Sequence, residues 1–125
     1  MMQIFLIFGA IFGAMSVGAG AFASHALKEK LTERAIAIFE VGAHYQMYHA
    51  LALLFVGLLF AQFEKPTPVL LISGWAFVAG VIIFSGSLYA LSLTGIKWLG
   101  AITPLGGAAF IVGWSCLAIA AWALK

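Results

Sequence analysis

The chain has 125 residues, 65% of them hydrophobic and 8% charged, and six Lys or Arg against four Glu leave a formal net charge of +2. A soluble domain this short cannot hide so much apolar surface, so the composition is that of a membrane protein forming one domain over residues 1–125. The charges form no basic face, which argues against nucleic acid as a partner, and the single cysteine, Cys116, cannot form an internal disulfide.

A helix crosses the roughly 30 Å hydrocarbon layer with about 20 apolar residues. Four stretches meet that requirement, at residues 3–24, 43–62, 68–94 and 104–124. The first ends in Ala21-Phe22-Ala23, a small-x-small pattern like a leader cleavage site. No basic residue precedes the run, however, and it exceeds the roughly 7–15 residues of a leader core, so a retained span is expected. Between the first two spans, Leu31, Ala35, Ile38 and Phe39 recur at helical spacing opposite Lys28, Glu29, Lys30, Glu33, Arg34 and Glu40. That pattern predicts a short amphipathic helix lying in the headgroup plane, with an extension of the second span, bent at Gly42, as the alternative. Thr67-Pro68 and Thr103-Pro104 each place a hydroxyl before a proline, the signature of a capped helix start. Trp98 beside Lys97 fits an interfacial anchor. Lys28, Lys30, Arg34 and Lys97 share one side of the membrane, and Lys65 and Lys125 lie on the other. The first side is therefore expected to be cytoplasmic and both termini extracytoplasmic.

Small residues should line the helix seams, because helices associate in lipid by close contact and hydrogen bonds. Gly9 and Gly13 begin one ridge, continued by Ser16, Gly20 and Ser24; Gly106, Ala109, Gly113, Cys116 and Ala120 form another. The third span offers Ser73, Ala76 and Gly80, then Ser85-Gly86-Ser87, whose serines are expected to join helices rather than line a pore. Bulky Phe5, Phe8, Phe12, Leu58, Phe77 and Ile82 are expected to face lipid.

Gly20-Ala-Phe-Ala-Ser-His-Ala-Leu-Lys28, Tyr45-Gln-Met-Tyr-His-Ala-Leu-Ala-Leu-Leu54, Phe84-Ser-Gly-Ser-Leu-Tyr-Ala-Leu-Ser-Leu-Thr-Gly95 and Leu99-Gly-Ala-Ile-Thr-Pro-Leu-Gly-Gly107, followed by Gly113-Trp114, resemble the domain of unknown function 423 family. This UPF0382 group comprises small multi-pass membrane proteins, mostly bacterial, related to the animal transmembrane protein 256. The resemblance covers nearly the whole chain, with the motifs in the family's order and spacing. Ala23 and Ser24 depart from the family's usual Gly-Ala before His25. The resemblance implies a four-helix protein of the bacterial inner membrane and carries over no catalytic residue.

The remaining candidates are polar. His25 closes the first span; Glu40, His44 and Tyr48 share one face of the second at steps of four; Tyr45 and His49 form another pair. Ionisable groups inside a membrane need a partner or water. This cluster could brace the bundle by hydrogen bonds, or line a shallow cavity that passes a proton or small solute. A third use, holding a metal or haem, is disfavoured because His44 and His49 are five apart and point different ways. With no Asp, no Gly-x-Ser-x-Gly and no nucleotide loop, no enzyme is expected, and no catalytic residue, cofactor or metal is assigned. The expectation is an all-α integral membrane four-helix bundle with a short interfacial helix after the first span. It would act as a structural or accessory component in contact with lipid, as a homo-oligomer or with a membrane-protein partner; a small transporter or channel is the alternative.

Overall fold

The computed structural model describes residues 2–65 and 67–124. Among the described residues five α-helices occur in chain order: α1 (Met2–His25), α2 (Glu33–Leu59), α3 (Pro68–Gly80), α4 (Gly86–Thr94) and α5 (Thr103–Trp122). A wide turn of π type, Val81–Ser85, joins α3 and α4 into one rod, and tight 3-10 turns close α2 (Phe60–Gln62) and lead into α5 (Lys97–Ala101). The result is four rods long and apolar enough to cross a membrane, as expected from the sequence.

The amphipathic segment after α1 is not a separate interfacial helix. Residues 26–32 form turns, Thr32 caps α2 by accepting from the Ala35 N–H at 3.1 Å, and the helix then runs through Gly42 without interruption. Length explains this: α2 spans 27 residues, about 40 Å, against roughly 30 Å of hydrocarbon. The far end of α2 is apolar, so the excess lies at its start, where Glu33, Arg34 and Glu40 are. The polar stripe thus belongs to the end of a spanning helix that projects into the headgroups.

The two proline starts differ. Thr67 caps α3, accepting from the Leu70 N–H at 3.0 Å, with Pro68 in the first turn. Thr103 caps nothing: the preceding 3-10 turn feeds directly into α5, and its hydroxyl meets Ser87 Oγ on α4 at 2.6 Å instead. Gly95 ends α4 at φ 73°, a left-handed conformation that only glycine adopts cheaply.

α1 packs chiefly on α2 and α5 on α3, while α2 also packs against α3, the wide turn and α4. The core is built from aromatic rings seated on glycines. A Cβ at Gly74 would strike the Phe5 ring, one at Gly80 the Phe110 ring and one at Gly113 the Phe77 ring. This corrects the expectation that the bulky residues face lipid: Phe5 and Phe77 are completely buried and Phe12 is in the core, Phe8 is half-buried, and only Leu58 and Ile82 project outward. Small residues on one helix make room for large ones on the next, and that room is inside. The ridges divide accordingly. Gly9 lies against Leu54 and the Ala50 carbonyl, and Gly106 against the backbone of Phe84, whereas Gly18 and Gly20 face open space.

Candidate functional site

Polar side chains buried in the spans come together on the inward face of α2. Gln46, which is not among the candidates read from the sequence, is 2% exposed and joins three helices. Its amide Nε2 donates to the Phe12 carbonyl of α1 at 2.9 Å, and its Oε1 accepts from the Tyr89 hydroxyl of α4 at 2.7 Å. One turn on, His49 is 4% exposed. Its Nδ1 lies 2.7 Å from the Tyr45 carbonyl, and its Nε2 lies 3.0 Å from Trp114 Nε1 of α5. An indole N–H only donates, and a backbone carbonyl only accepts. The proton therefore sits on Nδ1, Nε2 is the acceptor, and both nitrogens of a neutral ring are occupied. The ring stacks on Phe110 with centroids 3.5 Å apart and planes 6° from parallel.

The serines of the third rod complete the lattice. Ser73 donates to the Gly113 carbonyl of α5 at 2.7 Å, and Ser85, inside the wide turn, donates to the Gly42 carbonyl of α2 at 2.7 Å. Ser87 donates to Phe84 O at 2.9 Å, so Thr103 supplies the proton of the hydroxyl pair between them. One added residue in a helix rotates the residues beyond it by about 100°. The wide turn thereby brings Ser85 and Tyr89 to α2 and Ser87 to α5. These serines join helices, as expected, and among the described residues no buried side-chain nitrogen or oxygen lacks a hydrogen-bond partner.

The candidates read from the sequence are thus divided. His49 belongs to this buried lattice. Glu40 is half-buried, His44 and Tyr48 are exposed on the lipid-facing side of α2, and Tyr45 lies between the two faces, its ring 4.7 Å from that of Phe84. His25 is exposed at the end of α1. The six do not converge on one point, and among the described residues no three His, Cys, Asp or Glu are placed to hold a metal. Gln46 was legible as the polar residue on the stripe of Phe39, Gly42, Ala43, Ala50 and Leu53. Tyr89 and Trp114 carry no such signal, because their partners lie on other helices.

Beside His49 a groove of about 740 Å³ opens sideways between α2 and α5, walled by Tyr45, Tyr48, Phe84, Phe110 and Trp114. A cleft of about 180 Å³ lies nearer the headgroups, between the start of α2 and the end of α4, lined by Arg34, Ile38, Leu91, Ser92 and Lys97. On the other flank of α2, towards α1, Lys28, Glu33 and Glu40 line a third cavity of about 430 Å³.

The family described as a protein of unknown function, DUF423, matches residues 19–107. A UPF0382 membrane protein of Staphylococcus epidermidis is 46% identical over 95% of both chains. The UPF0382 membrane protein YwdK of Bacillus subtilis is 45% identical over 96% of this chain and 97% of its own. A UPF0382 membrane protein of Staphylococcus haemolyticus is 45% identical over 94% of both. No solved structure matches. The chain belongs to the DUF423 family of membrane proteins, whose function is unknown.

Proposed function

We propose that this chain is a non-catalytic structural or accessory component of the bacterial inner membrane, in contact with lipid and with other membrane-protein surfaces. One observation carries the reading: Gln46, His49, Ser73, Ser85 and Ser87, buried in the spans, each bond to another helix, while buried Ser16 and Ser92 bond back to carbonyls of their own helices. A proton or solute pathway needs polar groups with unused capacity facing a water-filled path, and His49 has both nitrogens engaged. The protein reconstituted in liposomes is expected to give no proton flux above protein-free vesicles between pH 5 and 8. A flux that disappears in His49→Leu would overturn the reading in favour of a transporter.

The orientation is proposed from charge. Lys28, Lys30, Arg34 and Lys97 lie at one end of the bundle and Lys65 at the other, while Lys125 is outside the described residues. The excess favours the first end as cytoplasmic and both termini outside. An alkaline phosphatase fused after residue 124 is then expected to be active and one fused within residues 26–32 inactive; the reverse pattern would invert the topology.

A further inference from the structure

We propose that the flank of α2 facing α4 and α5 is a binding site for one anionic phospholipid, its phosphate held at the cleft of Arg34 and Lys97 and an acyl chain lying in the aromatic groove below. Charge carries the upper half. Arg34 and Lys97, from α2 and from the turn before α5, line the same cleft, and no carboxylate is among the residues that line it. The acidic residues of α2, Glu33 and Glu40, are turned to its other flank, where they line the cavity towards α1 together with Lys28. One helix thus presents an acid-free cationic side and an acidic side, and only the first continues into an apolar groove.

Register and length carry the lower half. Arg34, Ile38, Tyr45 and Tyr48 succeed one another at steps of four, seven and three, placing cleft and groove in succession along one stripe of α2. From Arg34 to Tyr48 the helix rises about 21 Å, which matches the roughly 20–22 Å from bilayer midplane to outer headgroup edge. The combined site therefore has the length of a lipid in one leaflet and ends near the middle of the membrane. A ring-walled groove suits a chain rather than a second headgroup, since the two nitrogens of its most buried polar residue, His49, are already bonded. The site goes beyond the structural role proposed for the chain and does not depend on it, because a lipid can occupy this flank whether or not the protein transports anything.

The experiment is native mass spectrometry of the full chain in detergent, titrated with phosphatidylglycerol or phosphatidylcholine of identical acyl chains. The expected result is one phosphatidylglycerol bound at least ten-fold more tightly than phosphatidylcholine. The double variant Arg34→Gln with Lys97→Gln is expected to abolish the preference. Gly107→Leu fills the groove from a position where a Cβ meets nothing within 4 Å, and it is expected to weaken both lipids about ten-fold. Should that variant not fold, Ala108→Phe at the same wall makes the same test. Equal binding of the two lipids, a preference that survives the double variant, or unchanged binding in the groove-filled variant overturns the proposal. So does full competition by soluble glycerol phosphate at the lipid's own concentration, which would mark an anion cleft without a lipid.

Discussion

The two faces of α2 carry similar side chains to different ends. Inward, Gln46 and His49 are almost wholly enclosed and reach α1, α4 and α5. Outward, His44 and Tyr48 lie on a face shared with Val41, Leu51, Phe55 and Leu58, all exposed to lipid. Burial without water raises the cost of an unmet hydrogen bond, so the inward pair is tied to neighbouring helices. An exposed tyrosine or histidine can lean towards the headgroups. What a polar residue does in this bundle depends on the direction it faces more than on its type, and neighbours in sequence such as Tyr48, exposed, and His49, buried, can differ completely.

The comparison can be broken or sharpened by substitution. The largest effect is expected at the glycine seats that hold the inward face together. Gly74→Leu drives a side chain into the Phe5 ring and should cost about 3 kcal/mol or more, since overpacking typically costs about 1–3 kcal/mol for smaller additions. Thermal unfolding in detergent would show it as a large fall in Tm, and an unchanged Tm would mean that α1 does not pack on α3 as described. Next comes Gln46→Leu, which removes the acceptor of Tyr89 and the donor to Phe12; about 1–2 kcal/mol is expected, two interhelical bonds at about 0.6 kcal/mol or somewhat more each. The smallest effect is expected outward, where His44→Leu and Tyr48→Leu should stay within about 0.5 kcal/mol of the native chain. A loss at His44 or Tyr48 equal to that at Gln46 would erase the distinction between the faces.

Much of this was legible in the sequence. Four apolar runs of membrane length gave the spans, the Thr67-Pro68 pair gave the α3 cap, and the serines of the third span gave interhelical bonds. Three features were not fully so, each for a physical reason. Helicity through the charged start of α2 was legible only as the alternative to an interfacial helix, and then with a bend at Gly42, where the helix runs on uninterrupted. A helix can outlast the hydrocarbon layer and end among headgroups, so a change in polarity does not mark a boundary. The inward turn of Phe5 and Phe77 arises from Gly74 and Gly113 on other helices, and a single-helix pattern does not contain that pairing. The wide turn at Val81–Ser85 leaves no local mark, since none of its residues breaks a helix. At the candidate site, spacing correctly put Glu40, His44 and Tyr48 on one face and His49 on another. Which face was inside depended on Gln46, whose two partners are 34 and 43 residues away.

The central claim, that the buried polar residues of α2 are engaged in joining helices, is tested most directly by the side-chain ¹⁵N spectrum of His49 in selectively labelled protein. The bonds to Tyr45 and Trp114 predict a neutral ring with its proton on Nδ1, a bare Nε2 and a correlation from Nε2 to the Trp114 indole N–H that is lost in Trp114→Phe. A proton found on Nε2, or an imidazolium ring at neutral pH, would contradict the account, because the indole could then no longer be the donor that ties α5 to α2.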